Sequence, residues 1–275
     1  MFMKRTWPPT RGMTLIELLV VIAIIAVIAS LAFPVFQSAA SKARMTKEMQ
    51  AGRTLVSAFV ASAADHDGQF PAGYDRTVST VTLQDGTAVS GPPAERYPYR
   101  LAPYYQYQFK DTLLVSNNST EIDTSSNYLV SCYPSLGINY LFVGGDVSAT
   151  GAYTYPGEAV TRQAMAASIL VFASAAGDST PSKINGYCIL TPPQTTAAMW
   201  STKAWGANQQ AASYGNVDPR YSRKAVCAFL DGSTRLLSID ELRDMRLWNT
   251  NALAQNNASY TVYVAPPPNG GRGGR

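Results

Sequence analysis

From Leu18 to Phe36 the chain carries no charged residue. Ile, Val, Leu and Ala fill the stretch, and Ser30 is the only polar side chain before Gln37. A helix rises 1.5 Å per residue, so about 19 such residues span roughly 29 Å, the thickness of a bilayer's hydrocarbon core. The pattern predicts a membrane-spanning helix over residues 13–36. An unbroken apolar run of this length is a poor match to the buried helix of a soluble core.

Beyond Phe36 the pattern becomes amphipathic, and nothing in it stops the helix. Residues 38–64 hold no Pro and a single Gly, Gly52, and are rich in Ala, Met, Lys and Glu. Met45, Met49, Leu55, Val56, Phe59 and Val60 recur at spacings near three and four, which makes one apolar face for a following domain. Asp65-His66-Asp67-Gly68-Gln69-Phe70-Pro71 then supplies Gly and Pro as stop signals, so the expectation is one long helix over 13–65.

The remainder alternates between short strand-like runs and long polar connections. Val78 to Leu83 alternates, and Gln84-Asp85-Gly86-Thr87 reads as a hairpin turn. Tyr97 to Tyr105 is aromatic, with a short helix expected after Pro103; its rings suit packing against the long helix better than a ligand platform. Ser135 to Leu141 reads as a turn into a strand, and Ser168–Ala173 and Gly186–Leu190 as buried strands. Loops at 144–157 and 192–215 are long enough to be functional or subunit-contacting. Ala225–Leu230, Asp231-Gly232 and Ser233–Leu237 form a hairpin pattern on an Asp-Gly turn. Ser238-Ile239-Asp240-Glu241 is a capping box opening a helix to about Trp248. The fold class is α+β: the long helix packed on an antiparallel sheet within a domain over 66–264, followed by a tail, 265–275, without apolar pattern and expected to be disordered.

Composition narrows the function. Of 275 residues 46% are hydrophobic but only 15% charged, and Tyr is plentiful at 16, which suits an extracytoplasmic surface that packs against copies of itself. The net charge of +4 is scattered, without a basic stripe, so nucleic acid is not an expected partner. Cys132, Cys188 and Cys227 fit no metal-ligand spacing. In an oxidising compartment two of them can pair, Cys132 with Cys188 being the preferred choice, while Cys227 sits in a strand-like run as a buried thiol. His66, the sole histidine, lies between two carboxylates, and Asp65-x-Asp67-Gly68 echoes part of a calcium loop whose distal Glu is missing. A structural or solvent-exposed role fits it better. No catalytic signature stands in the chain: Gly177-Asp178-Ser179 would have to rely on His66 alone, so no enzyme and no cofactor are expected.

The N-terminal junction is the most informative stretch. Lys4, Arg5 and Arg11 form a basic leader, residues 1–12, yet no small-x-small cleavage site follows the apolar run. Gly12 precedes it instead, where a missing side chain lets a peptidase approach the backbone. Cutting between Gly12 and Met13 would leave the helix on the mature chain. Glu17 places a carboxylate one turn into that helix, where an ionisable group needs a partner. The candidates are the new α-amine of Met13, from the same or a neighbouring subunit, or the lipid headgroup layer. Lys42, Arg44 and Lys47 follow the run, so the count of basic residues on each side is nearly balanced.

Arg11-Gly12-Met13-Thr14-Leu15-Ile16-Glu17 and the apolar run resemble the class III, type IV prepilin-type signal of pilins and secretion pseudopilins. The resemblance implies a pilin-like fold, cleavage after Gly12 by a prepilin peptidase, N-methylation of Met13, and a role for Glu17 in filament assembly. Met13 stands where Phe is commonest in the family, and Pro34 where a helix-kinking Pro is frequent. The phrase at 65–71 is similar to the end of the first helix in major pseudopilins, some of which bind calcium; none of those ligands maps here. Tyr221 to Trp248 resembles a C-terminal signature of a large prepilin-like group, a His, nine residues, then Asp-Gly; Asp231-Gly232 are present, and Tyr221 stands in place of the His.

The expected function is a structural filament subunit, a pseudopilin of a type II secretion system or a type IV pilus-like machine. By the resemblance it waits in the bacterial inner membrane with its domain in the periplasm. An inner-membrane assembly platform driven by an ATPase then extracts it to join copies of itself and minor pseudopilins. Ala23, Ala26, Ala29 and Ala32 would let neighbouring helices approach closely. The competing expectation is a membrane-anchored binding module whose Tyr-rich loops recognise a glycan or secreted substrate.

Overall fold

The computed structural model describes residues 13–115, 121–162, 168–178, 183–196, 199–206 and 209–262. The leader and the tail expected at 265–275 lie outside the described residues. A single helix, α1, runs Leu15–Ala64, and the chain divides into two compact units, Met1–Ala43 and Arg44–Arg275. In the first unit α1 is long and apolar enough to cross a membrane, and large apolar side chains along it are exposed, Leu15 at 78% and Leu31 at 69%. Such exposure of a continuous apolar surface is what a lipid environment or packing helices would cover.

In the second unit the last part of α1 lies on a five-stranded sheet. Its strands are β4 (Leu136–Asn139), β6 (Leu170–Ser174), β9 (Ile189–Leu190), β10 (Lys224–Phe229) and β11 (Thr234–Ser238), in the order β11-β10-β6-β4-β9. Numbering follows the chain, with β1 (Tyr74–Asp75), β2 (Thr80–Thr82), β3 (Ala88–Ser90), β5 (Asp146–Val147), β7 (Ala176–Asp178) and β8 (Lys183–Asn185) forming small two-stranded pairs. Neighbours in the main sheet are antiparallel except at the edge, where β9 runs parallel to β4. The sheet is buried on both faces, and β10 shows how. Val226 and Ala228 join the core under α1 with Leu55, Phe59 and Phe172, while Ala225, Cys227 and Phe229 join a second core with Trp200 and Trp248. Alternation of side chains across a strand makes this possible, and each large side chain so buried contributes about 1.5–3 kcal/mol. Gly52 lies where the helix comes closest to the sheet: a Cβ there would stand 3.0 Å from that of Ala228.

The expected apolar face of α1 is the buried one, with Leu55, Val56 and Phe59 inside and Met45, Met49 and Val60 partly so. The helix ends where Gly68, at φ 75°, returns its N–H to the Ala63 carbonyl at 2.8 Å. Both hairpins form, β2–β3 about the Asp85-Gly86 turn and β10–β11 about Asp231-Gly232.

Three expectations are corrected. The aromatic stretch is helical before Pro103 as well as after it, with helices at Pro92–Glu95 and Tyr97–Arg100 ahead of a 3-10 turn at Ala102–Tyr105. Each begins with a Pro in its first turn, where the missing N–H costs nothing. The expected strand at 186–190 shrinks to β9, because Gly186 at φ 107° interrupts it. The helix expected to reach Trp248 covers only Ile239–Leu242. Asp244 accepts from the Arg246 N–H at 3.0 Å and starts a separate 3-10 turn, Met245–Leu247.

Candidate functional site

At the N-terminus, Thr14 and Glu17 cap α1 reciprocally. The Thr14 N–H and hydroxyl donate to Glu17 Oε2 at 2.7 and 2.9 Å, and the Glu17 N–H donates to Thr14 Oγ1 at 3.3 Å. This is a capping box, satisfying backbone donors that the first helical turn leaves without partners. The partner of Glu17 within one chain is therefore Thr14, a role the sequence reading missed although Thr-x-x-Glu is its plain signal. The Met13 amine considered as a partner exists only after cleavage. Gly12 lies outside the described residues, so of the cleavage pair only Met13 is placed, exposed ahead of the helix.

The second constellation lies in the globular unit around Glu48, a carboxylate with no solvent exposure. Ser174 donates to Glu48 Oε1 at 2.5 Å and Tyr221 to Oε2 at 2.5 Å. Arg220 Nη1 stands 3.8 Å from Oε2, and its Nε 2.9 Å from Asp218 Oδ2; Asp218 also pairs with Lys183. Ser174 Oγ accepts the Val226 N–H at 2.9 Å, so the hydroxyl joins α1 to β6 and β10 at once. Burial opposes the charge on Arg220, but the carboxylates of Glu48 and Asp218 outweigh it and hold the guanidinium above its ordinary value. A buried charge without such partners would be strongly destabilising.

Local backbone aims these groups. Tyr221 and Lys224 exchange backbone hydrogen bonds at 3.0 and 2.9 Å across a two-residue turn whose Ser222 and Arg223 lie at φ 50° and 65°. That left-handed pair, uncommon for side-chain-bearing residues, swings Tyr221 in front of β10 and toward α1. Tyr221 is thus a structural hydrogen-bond donor to the helix.

The other candidates are separate from these two places. His66 is exposed, its Nδ1 2.7 Å from the Ser62 carbonyl. Among the described residues no group of three or more His, Cys, Asp or Glu is arranged to hold a metal ion. Asp178 accepts the Ala211 and Ala212 N–H groups at 2.7 and 2.9 Å, while Ser179 lies outside the described residues. Tyr97, Tyr99 and Tyr105 are buried, with the Tyr97 hydroxyl on the Leu136 carbonyl at 2.5 Å, so they serve packing. A cavity of about 490 Å³ opens beside them, lined among others by His66, Asp75, Arg100, Tyr104 and Tyr153. The cysteines are all buried thiols; Cys227 lies in β10, and the Cys188 N–H donates to the Cys132 carbonyl at 2.9 Å.

Residues 8–33 match the family model described as the prokaryotic N-terminal methylation motif. The match takes in Arg11, Gly12, Met13, Glu17 and most of the apolar run, and it supports a type IV pilin-like subunit processed by prepilin peptidase and assembled with other pilins. The long apolar helix followed by an α+β domain agrees with a pilin-like architecture. No curated protein and no solved structure matches the chain.

Proposed function

We propose that this chain is a structural filament subunit, a pseudopilin of a type II secretion system or a type IV pilus-like machine. The observation that carries the reading is the coincidence, on one helix, of the methylation motif and an exposed apolar surface. Cleavage follows Gly12, the amine of Met13 is methylated, and residues 13–36 hold the chain in the inner membrane with its domain in the periplasm. On extraction by the assembly platform, the apolar surface of each α1 exchanges lipid for the helices of neighbouring subunits. Glu17 then pairs with a Met13 amine in low dielectric, where an unpaired charge is heavily penalised. The Glu48 network suits a filament because it ties the domain to its helix at a single register, by hydrogen bonds as well as by apolar packing.

A second reading, a minor subunit that binds a glycan or secreted substrate, is favoured by the cavity beside Tyr104 and Tyr153. Abundance separates the two, since a major subunit forms the bulk of the filament. The test of the main proposal is intact mass and N-terminal sequencing of the membrane-fraction protein with and without prepilin peptidase. A chain beginning at N-methylated Met13 only when the peptidase is present is the expected result. A chain still beginning at Met1 would reduce the segment to a plain anchor.

A further inference from the structure

Two thiols far apart in sequence meet at the edge of the sheet. Cys132 ends the helix Asn127–Cys132, and Cys188 immediately precedes β9. The Cys188 N–H donates to the Cys132 carbonyl at 2.9 Å, and the Tyr187 N–H to the Pro134 carbonyl at 2.9 Å, so the two segments run side by side. A direct N–H···O=C bond limits the two Cα atoms to at most about 6.8 Å apart, within the separation a disulfide bridges. Both thiols are buried, and each perturbs the other, Cys132 being lowered and Cys188 raised.

We propose that Cys132 and Cys188 are a disulfide-forming pair, closed in the periplasm after export; the compartment rests on the topology proposed above, whereas the pairing rests on geometry alone. The surroundings select Cys132 as the attacking sulfur. The hydrogen bond from Cys188, together with the Arg96 guanidinium and the Tyr133 and Tyr128 hydroxyls, outweighs burial and lowers its thiol to about 6. Cys188, giving that hydrogen bond and buried, is raised. The Cys132 thiolate attacks one sulfur of a donor disulfide, whether protein or small molecule. The donor S–S bond breaks, and its other sulfur leaves and takes up a proton. Cys188 then loses its proton and attacks the Cys132 sulfur, releasing the second donor thiol. Two cysteine thiols are thereby oxidised by two electrons, and one donor disulfide is reduced to two thiols. The bond clamps β9, the two-residue edge strand of the main sheet, to the helix Asn127–Cys132. Cys227, without solvent exposure in β10, is no part of it.

The experiment is alkylation of the full chain under denaturing conditions, before and after reduction, read by peptide mass spectrometry. Protein from a host with a periplasmic disulfide system is compared with purified reduced protein exposed to oxidised glutathione. The expected result for both is alkylation of Cys227 alone before reduction and of all three cysteines after it. Reduction should also lower Tm by about 5–15 °C, with no such change in Cys132→Ala. Failure of the purified chain to join Cys132 to Cys188 would overturn the pairing. Protease digestion of the domain in spheroplasts reads topology separately. A digestible domain with both thiols free in cells overturns closure after export. A protected domain whose purified form still makes the bond supports the pairing and overturns the periplasmic location.

Discussion

Glu48 shows how one residue can hold two elements together. It occupies the stripe Met45, Glu48, Gly52, Leu55, Phe59, whose steps of three and four place it against the sheet. Both carboxylate oxygens are satisfied there, by Ser174 and Tyr221, with Arg220 nearby. Tyr221→Phe keeps the ring and removes one donor to a buried carboxylate, which should cost about 1–3 kcal/mol. Glu48→Ala strips the partners from Ser174, Tyr221 and Arg220 together and should cost about 3–5 kcal/mol. Urea unfolding of the two variants checks the order, and equal stability of wild type and Tyr221→Phe would remove the network's role. Met45, Leu55 and Phe59 were legible in the sequence as part of an apolar face, but Glu48 was not singled out, because a lone Glu on an amphipathic helix is ordinarily a solvated residue. Only the return of residues 218–221 to the helix, through the left-handed Ser222-Arg223 turn, reveals its partners.

Elements were legible in proportion to how local their signals are. The length of α1, the two Gly-containing hairpins and the Ser238 capping box follow from residues a few positions apart. Pairing of β9 alongside β4 depends on contacts some fifty residues away in the chain and has no local signature. The aromatic helices at 92–105 fall between these cases: Pro marks their starts, but burial fixes their orientation. That burial has a consequence for alkaline stability. It pushes Tyr97 and Tyr105 well above the usual phenol value and Tyr99 to about 12. Above pH of about 10 the unfolded chain releases phenolic protons that the folded chain retains, so unfolding is increasingly favoured as pH rises. The contribution is intact below that value and lost above it. In an alkaline titration, part of the tyrosinate absorbance should appear only together with loss of near-ultraviolet dichroism. Complete ionisation of the tyrosines while the dichroism persists would show that these hydroxyls reach solvent in the folded state.

For the whole molecule, the open matter is what Glu17 contributes once subunits meet. In the single chain its carboxylate caps α1 through Thr14, a local task that a neutral acceptor such as a Gln side chain can also perform. In a filament its charge would meet a Met13 amine, a task that requires the negative charge. Glu17→Gln separates them: the amide oxygen still accepts from Thr14, but nothing remains to pair with an ammonium group. Thr14→Ala does the reverse, weakening the cap while retaining the charge. If the proposed assembly mechanism holds, both variants are cleaved normally. Glu17→Gln and Glu17→Ala should then both lose about tenfold or more in filament yield, whereas Thr14→Ala should lose much less. Sheared filament mass against membrane-retained mature subunit is the measurement. Wild-type yield from Glu17→Gln would assign the residue to capping alone. The register of subunits would then have to come from helix packing along Ala23, Ala26, Ala29 and Ala32 rather than from an ion pair.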